Sequence, residues 1–144
     1  MKMDYLDTSA LAKWYLNEPR SEEFAEWILS ADDVHISTLT VVELRCLLAR
    51  RRRANDFGLE LEQRLFAAFE NDINKGYLVK NTVRDGMLLQ ALALIQSLQQ
   101  IPLRTLDALH LSIAQEIGAN CLVTADKIMR AAAQQTGFTV VDFS

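Results

Sequence analysis

Asp7, Glu43, Asp107 and Asp126 stand at the same kind of junction, where strand-like sequence gives way to helix-forming sequence or a helix makes its first turn. Asp7 lies in "YLDTSALAKWYLNEP", after a short run that begins at the N-terminus and directly before the hydroxyl residues Thr8 and Ser9. Glu43 lies in "ISTLTVVEL", Asp107 in "TLDALHLSIA", and Asp126 directly after the apolar run "CLVTA", two places beyond Thr124. Taken singly, each acid has an adequate structural explanation. Asp7 and Asp126 suit helix N-caps, Asp107 complements the positive end of a helix dipole, and "TVVE", Thr40 to Glu43, spells a capping box. Gathered in one cleft they would do something different. Unpaired carboxylates repel one another, and without cations some would protonate or the site would open. An anionic, all-oxygen site selects hard cations, Mg²⁺ or Mn²⁺. Such ions orient a phosphodiester, generate hydroxide from bound water and stabilise the leaving oxygen, so the chemistry to expect is phosphoryl hydrolysis.

The flanking elements decide whether the acids can meet. Met3 to Leu6 reads as a short strand and Ser9 to Leu16 as a helix barred from continuing by Pro19. Ser21 is placed to cap "SEEFAEWILSA", whose Phe24, Trp27 and Ile28 share an apolar face, and "VHIS" is a second strand. A helix from about Thr40 to Arg52 puts Val42, Cys46 and Ala49 on one side and Glu43 in its first turn. Leu61, Leu65, Phe69 and Ile73, spaced by four, mark a helix from Gly58 to Asn74, and "GYLVKNT" separates it from another, Val83 to Gln99. Together these resemble a helical hairpin inserted around a short strand. Pro102 ends that region, Thr105 can cap "TLDALHLSIAQEIGA" with a buried stripe of Leu106, Leu109, Ile113 and Ile117, and "CLVTA" is a buried strand. "KIMRAAAQQTG" is a helix closed by Gly137, and "FTVVDF" is the last strand.

Alternating strands and helices imply an α/β fold: a mostly parallel central sheet flanked by helices on both faces, with right-handed crossovers. Loops at the carboxyl ends of such strands share one edge, where open α/β sheets keep their sites. Asp7, Glu43 and Asp126 can converge there, and Asp107 joins them if its helix begins at that edge.

Composition sets the outer limits. The 144 residues, half of them hydrophobic and with few Gly or Pro, suit one compact domain over 1–144. Neither a signal-peptide core nor a run long enough to span a bilayer is visible, which points to the cytoplasm and to no membrane partner. Cys46 and Cys121 sit in apolar runs without metal-site spacing and read as buried, reduced thiols. A net charge of −4 argues against a general polyanion-coating protein. It does not exclude a nuclease whose acids are neutralised by metal.

The fragments "YLDTSAL", "ISTLTVVEL", "TLDALHLSIA" and "LVTADKIM", in that order, resemble the PIN-domain family and, more narrowly, the VapC-like toxins of type II toxin–antitoxin modules. The resemblance covers nearly the whole chain and implies a PIN-like three-layer fold. It also implies a divalent-metal-dependent endoribonuclease acting on tRNA or ribosomal RNA and silenced by a cognate VapB-like antitoxin. It carries the catalytic and metal-binding roles onto Asp7, Glu43, Asp107 and Asp126, with Thr8, Ser9 and Thr124 in support. There is one departure: many relatives have a further acid shortly after the fourth, where this chain has Lys127, Ile128 and Met129. A second metal position is therefore expected to be weak or to fill only with RNA present. A homodimer is expected as well.

Other residues admit two readings. Arg50, Arg51, Arg52 and Arg53 suit the negative end of their helix, yet Arg50 lies roughly 10 Å from Glu43 along the axis, a distance that suits a neighbouring phosphate. His110, three residues after Asp107, is either a hydrogen-bonded structural residue or a proton shuttle and RNA contact. His35 reads as strand surface, and Trp14 and Tyr15 as core or dimer packing with base stacking as the alternative. A haloacid-dehalogenase-type phosphatase needs a second acid two places after the first, where Ser9 stands, and a receiver domain needs an early acid pair. The rival that survives is a catalytically idle PIN-like module that binds RNA or protein through the same cleft.

Overall fold

The computed structural model describes residues 2–144. Strands β1 (Met3–Leu6), β2 (Asp33–Ser37), β3 (Val79–Asn81), β4 (Cys121–Thr124) and β5 (Thr139–Asp142) form one sheet in the order β3-β2-β1-β4-β5, every neighbouring pair parallel. The helices are α1 (Thr8–Tyr15), α2 (Ser21–Ser30), α3 (Thr38–Arg53), α4 (Leu59–Asn74), α5 (Asp85–Ser97), α6 (Thr105–Glu116) and α7 (Lys127–Gln135). Successive strand residues face opposite sides of a sheet. Leu6 and Val123 accordingly join Leu11, Phe24, Leu44, Leu48 and Phe69 under α1 to α4. Tyr5 and Leu122 join Met87, Leu94, Leu111, Ile113 and Met129 under α5 to α7. The result is three layers, helices on both faces of a parallel sheet. Among the described residues no helix is long and apolar enough to cross a membrane.

Several local expectations change. Helix α3 starts earlier than Thr40: its N-cap is Ser37, whose Oγ accepts from Thr40 N at 3.4 Å while Thr40 Oγ1 accepts from Ser37 N at 3.2 Å. The capping box therefore joins Ser37 to Thr40, and Glu43 lies in the second turn, free of any cap. Helix α6 is preceded by Arg104 rather than capped by Thr105, and α2 by Arg20 with φ 67°, without a side-chain cap in either case. Ser21 instead accepts from Glu18 N and donates to Leu16 O, which closes the turn out of α1.

Buried faces also shift. Helix α3 buries Thr40, Leu44 and Leu48, leaving Val42 and Cys46 exposed, so Cys46 is not the buried thiol expected, whereas Cys121 is. Two apolar stripes of helical spacing run along α3, and only the one that meets the sheet is covered. Leu61 and Leu106 are exposed for the same reason. Helices α4 and α5 contribute to opposite cores, so they form no hairpin; the segment between them joins the sheet as the edge strand β3. His35 is buried, its Nε2 bonded to Asp33 Oδ1 at 2.8 Å and its Nδ1 accepting from Asn81 at 3.0 Å.

Candidate active site

The strand order places the crevice. The chain builds β1, β2 and β3 toward one edge and then crosses β1 to lay β4 and β5 on its other side, so the topological switch lies between β1 and β4. Open α/β sheets bind ligands outside the carboxyl ends of their strands at such a point. Asp7 follows β1 directly, and Asp126 follows β4 after Ala125. Glu43, on the helix leaving β2, and Asp107, in the first turn of α6, complete the edge. Glu43, Asp107, Asp126, Thr8 and Ser9 line one open cleft of about 1160 Å³, with Arg50, Arg104 and Lys13 on its walls.

Asp7 lies beneath that floor, only 4% exposed. Its Oδ1 accepts from Ala10 N at 3.0 Å and Ser9 Oγ at 2.7 Å, and its Oδ2 from Thr124 Oγ1 at 2.5 Å. Asp7 is thus the N-cap of α1, bonded to Ser9, which itself lines the cleft. Burial pushes the Asp7 carboxyl up, against the opposing pull of His110 and these hydrogen bonds. Asp126 is the N-cap of α7, its Oδ1 accepting from Ile128 N at 2.8 Å and Met129 N at 3.1 Å. Burial raises the Asp107 carboxyl, and the charge of Asp126 raises it further. These two acids therefore feel each other.

Glu43 is held differently. Thr8 Oγ1 donates to its Oε1 at 2.7 Å, and His110 Nε2 lies 2.5 Å from the same oxygen. Burial would raise its carboxyl, but the hydrogen bond and attraction of His110, with that of Thr8, outweigh burial and hold it below the ordinary value.

The donor set, four carboxylates flanked by hydroxyls, has the oxygen chemistry that Mg²⁺ or Mn²⁺ requires. Among the described residues no three such groups stand close enough together to hold an ion as they are.

The remaining candidates divide. Thr8, Ser9 and Thr124 all bond to the acids or their loops, Ser9 Oγ also accepting from Ala125 N at 2.9 Å and Thr124 Oγ1 from Asp126 N at 3.0 Å. Arg50 lines the cleft and Arg53 is exposed. Arg51 instead pairs with Glu18 and Asp56, and Arg52 with the buried Glu62, so both turn to protein carboxylates rather than solvent. His110 is 3% exposed and lies between Tyr5 and Glu43. Tyr15 donates to Asp72 at 2.6 Å and packs edge-on against Phe69, while Trp14 borders a different pocket with Tyr77. Sequence reasoning missed Tyr5, Ser37, Lys13 and Arg104. Tyr5 had a signal, a phenol two places before the first acid in an apolar strand; the others had none short of the fold.

Residues 5–135 match the PIN domain family. The chain is 31% identical over 140 residues to ribonuclease VapC46 of Mycobacterium tuberculosis, covering 95% of each chain. Its fold resembles that of M. tuberculosis VapC20, a sarcin-ricin loop cleaving toxin, with a TM-score of 0.74 at 19% identity over 94% of this chain and 96% of that one. It also resembles a chain of DNA-bound VapBC from Salmonella typhimurium, with a TM-score of 0.68 at 19% identity over 100% of both.

Proposed function

The chain belongs to the PIN-domain family, and on that premise we propose that it is a divalent-metal-dependent endoribonuclease, the toxin of a toxin–antitoxin pair, whose metal ligands are Asp7, Glu43, Asp107 and Asp126. The observation that carries this reading is the gathering of Glu43, Asp107 and Asp126 on one cleft, over buried Asp7, at the switch point of the sheet. Mg²⁺ or Mn²⁺ bound there would activate water and stabilise the leaving oxygen of an RNA phosphodiester. The chain's own part is to hold the carboxylates: Thr124 and Ser9 fix Asp7, Thr8 and His110 fix Glu43, and the α7 amides fix Asp126. Arg50 and Arg104, on the walls of the same cleft, supply cationic contacts for the phosphates flanking the cut. The substrate is tRNA or ribosomal RNA, the inhibitor a VapB-like antitoxin, and the setting the cytoplasm.

Purified protein is expected to cleave RNA with Mn²⁺ or Mg²⁺ and to stop with EDTA, while Asp7→Asn abolishes cleavage and keeps the fold. Cleavage indifferent to EDTA would remove the metal from the reading. RNA binding without cleavage at any metal concentration would identify the idle module instead. Brief expression should arrest growth, with new RNA ends marking the cut site, and a small protein encoded alongside should relieve it. Harmless expression of active enzyme would sink the toxin role.

A further inference from the structure

Glu43 lines the cleft, and its hydrogen-bond partners occupy only one of its two oxygens. Both its hydrogen bonds, from Thr8 Oγ1 and from His110 Nε2, fall on Oε1, and Oε2 accepts none among the described residues. A carboxylate carries no hydrogen to give, so Nε2 is the donor in that contact. The other ring nitrogen, Nδ1, lies 2.7 Å from the Tyr5 hydroxyl, which in turn lies 3.0 Å from Ser37 Oγ. These groups are buried, with Tyr5 and Ser37 0% exposed and His110 3%, so water cannot replace a lost partner. They also come from three elements, β1, the cap of α3 and α6, which pins the imidazole in position and angle.

We propose that Tyr5 and His110 are positioning residues for the metal site. In the neutral imidazole the Tyr5 hydroxyl donates to His110 Nδ1 and so anchors the ring, whose Nε2–H holds Glu43 by one oxygen and leaves the other without a protein partner among the described residues. The inference rests on Glu43 being a metal ligand, as proposed above. Partners one step behind a ligand set its orientation, and removing them typically costs about 10–100-fold in metal affinity or activity. Tyr5→Phe removes one oxygen atom from a buried site. Nδ1 then lacks its donor, and the contact with Glu43 is left to hold the ring without its anchor on β1. His110→Gln offers an amide donor near the Nε2 position and has no tautomer to be set.

The test combines Mn²⁺ titration of the RNA-free protein, turnover with RNA, and imidazole ¹⁵N spectra of the metal-free protein. Wild type is expected to show the Nε2–H tautomer. Tyr5→Phe is expected to shift the Nδ1 resonance as its hydrogen bond is lost, to bind Mn²⁺ about tenfold or more weakly, and to lower kcat with little change in KM, while its circular dichroism and melting remain cooperative. His110→Leu should bind Mn²⁺ at least as weakly, and His110→Gln should restore much of the affinity. In the His110→Gln background, adding Tyr5→Phe should cost little, since the relay it served is gone. A wild-type imidazole protonated at Nδ1 would overturn the relay. So would a folded Tyr5→Phe protein with wild-type Mn²⁺ affinity, or equal Tyr5→Phe losses in both backgrounds. If Tyr5→Phe fails to fold, the contrast between His110→Leu and His110→Gln decides alone, equal affinities refuting the positioning role. Wild type that binds no Mn²⁺ would refute the metal reading itself, and this inference with it, an outcome distinct from a relay that fails in a metal-binding protein.

Discussion

At the scale of single residues, Glu43 gains most from the fold. As part of a capping box it would have had a sufficient structural role, but Ser37 and Thr40 form that box and leave the Glu43 carboxylate, among the described residues, bonded only to Thr8 and His110. Glu43→Gln keeps an acceptor oxygen and the shape while removing the charge. It is expected to leave stability within about 0.5 kcal/mol of wild type or slightly above it, because one charge leaves a repelling cluster. Mn²⁺ affinity should fall at least tenfold by calorimetric titration; wild-type affinity and turnover would return Glu43 to a purely helical role. Asp4 makes a second case, away from the site. It is 4% exposed, with Oδ1 unpartnered among the described residues, and burial raises its carboxyl above 3.8 despite the attraction of Lys2. The folded chain then holds a proton that the unfolded chain releases, so this residue's contribution to stability is intact below pH 3.8 and is lost as pH rises through the raised value. Asp4→Asn should therefore melt above wild type at pH 7, with the gap closing as the pH approaches 4. An equal gap at both pH values would contradict the burial account.

At the scale of elements, α3 carries much of the organisation. Its N-terminus brings Ser37 to Tyr5 and Glu43 to the cleft, and its last turns bind α4. Glu62, whose side chain is fully enclosed, accepts from Arg52 Nε at 2.7 and 2.9 Å and lies 3.6 Å from Arg45, which also stacks on Phe66. This clamp pairs Arg52 with a protein carboxylate, and among Arg50 to Arg53 it is Arg50 that lines the cleft. The cap is the more informative place to perturb. Ser37→Ala removes the side-chain acceptor for Thr40 N and the hydroxyl beside Tyr5, and should cost about 1 kcal/mol in denaturant melts. Because the change lies at the start of α3, Mn²⁺ affinity should fall with it. A stability loss with metal binding intact would show the cap to be independent of the site.

At the scale of the whole molecule, α5 presents two apolar stripes. Met87, Ala91, Leu94 and Leu98 are buried where α5 packs on α6, whereas Leu88, Leu92 and Ile95 repeat the same spacing on the outside, 51%, 54% and 38% exposed. A helix that is apolar on its outer side calls for a cover, and a contiguous exposed apolar face marks an interaction surface. A second copy of the chain is the occupant that fits the homodimer expected from the sequence. Leu92→Glu should convert a dimer to a monomer in light scattering while leaving the melting temperature of the monomer nearly unchanged, since Leu92 contributes little to either core. A wild-type chain that is monomeric at high micromolar concentration would contradict this and leave the face to the antitoxin.

What the amino-acid order determined by itself was whatever depends on neighbours along the chain. Period and punctuation placed strands before Asp7 and Asp126 and helices around Glu43 and Asp107, and the alternation of the two types required a parallel sheet with one shared edge. Asp7 and Asp126 as caps were legible too, because a cap bonds to amides two or three residues away. What only the tertiary structure decided depends on contacts between distant segments. Val42 with Cys46 and Leu44 with Leu48 are equally apolar pairs on α3, and only docking against the sheet buried the second pair. Thr40 could serve two capping arrangements, and the end of β2 at Ser37 selected one. The bonds from Tyr5 to His110 and from His110 to Glu43 span 105 and 67 residues, and such separations leave no periodic trace in a sequence. The acids were visible from the chain alone; the hydrogen bonds that aim them exist only once β1, α3 and α6 meet.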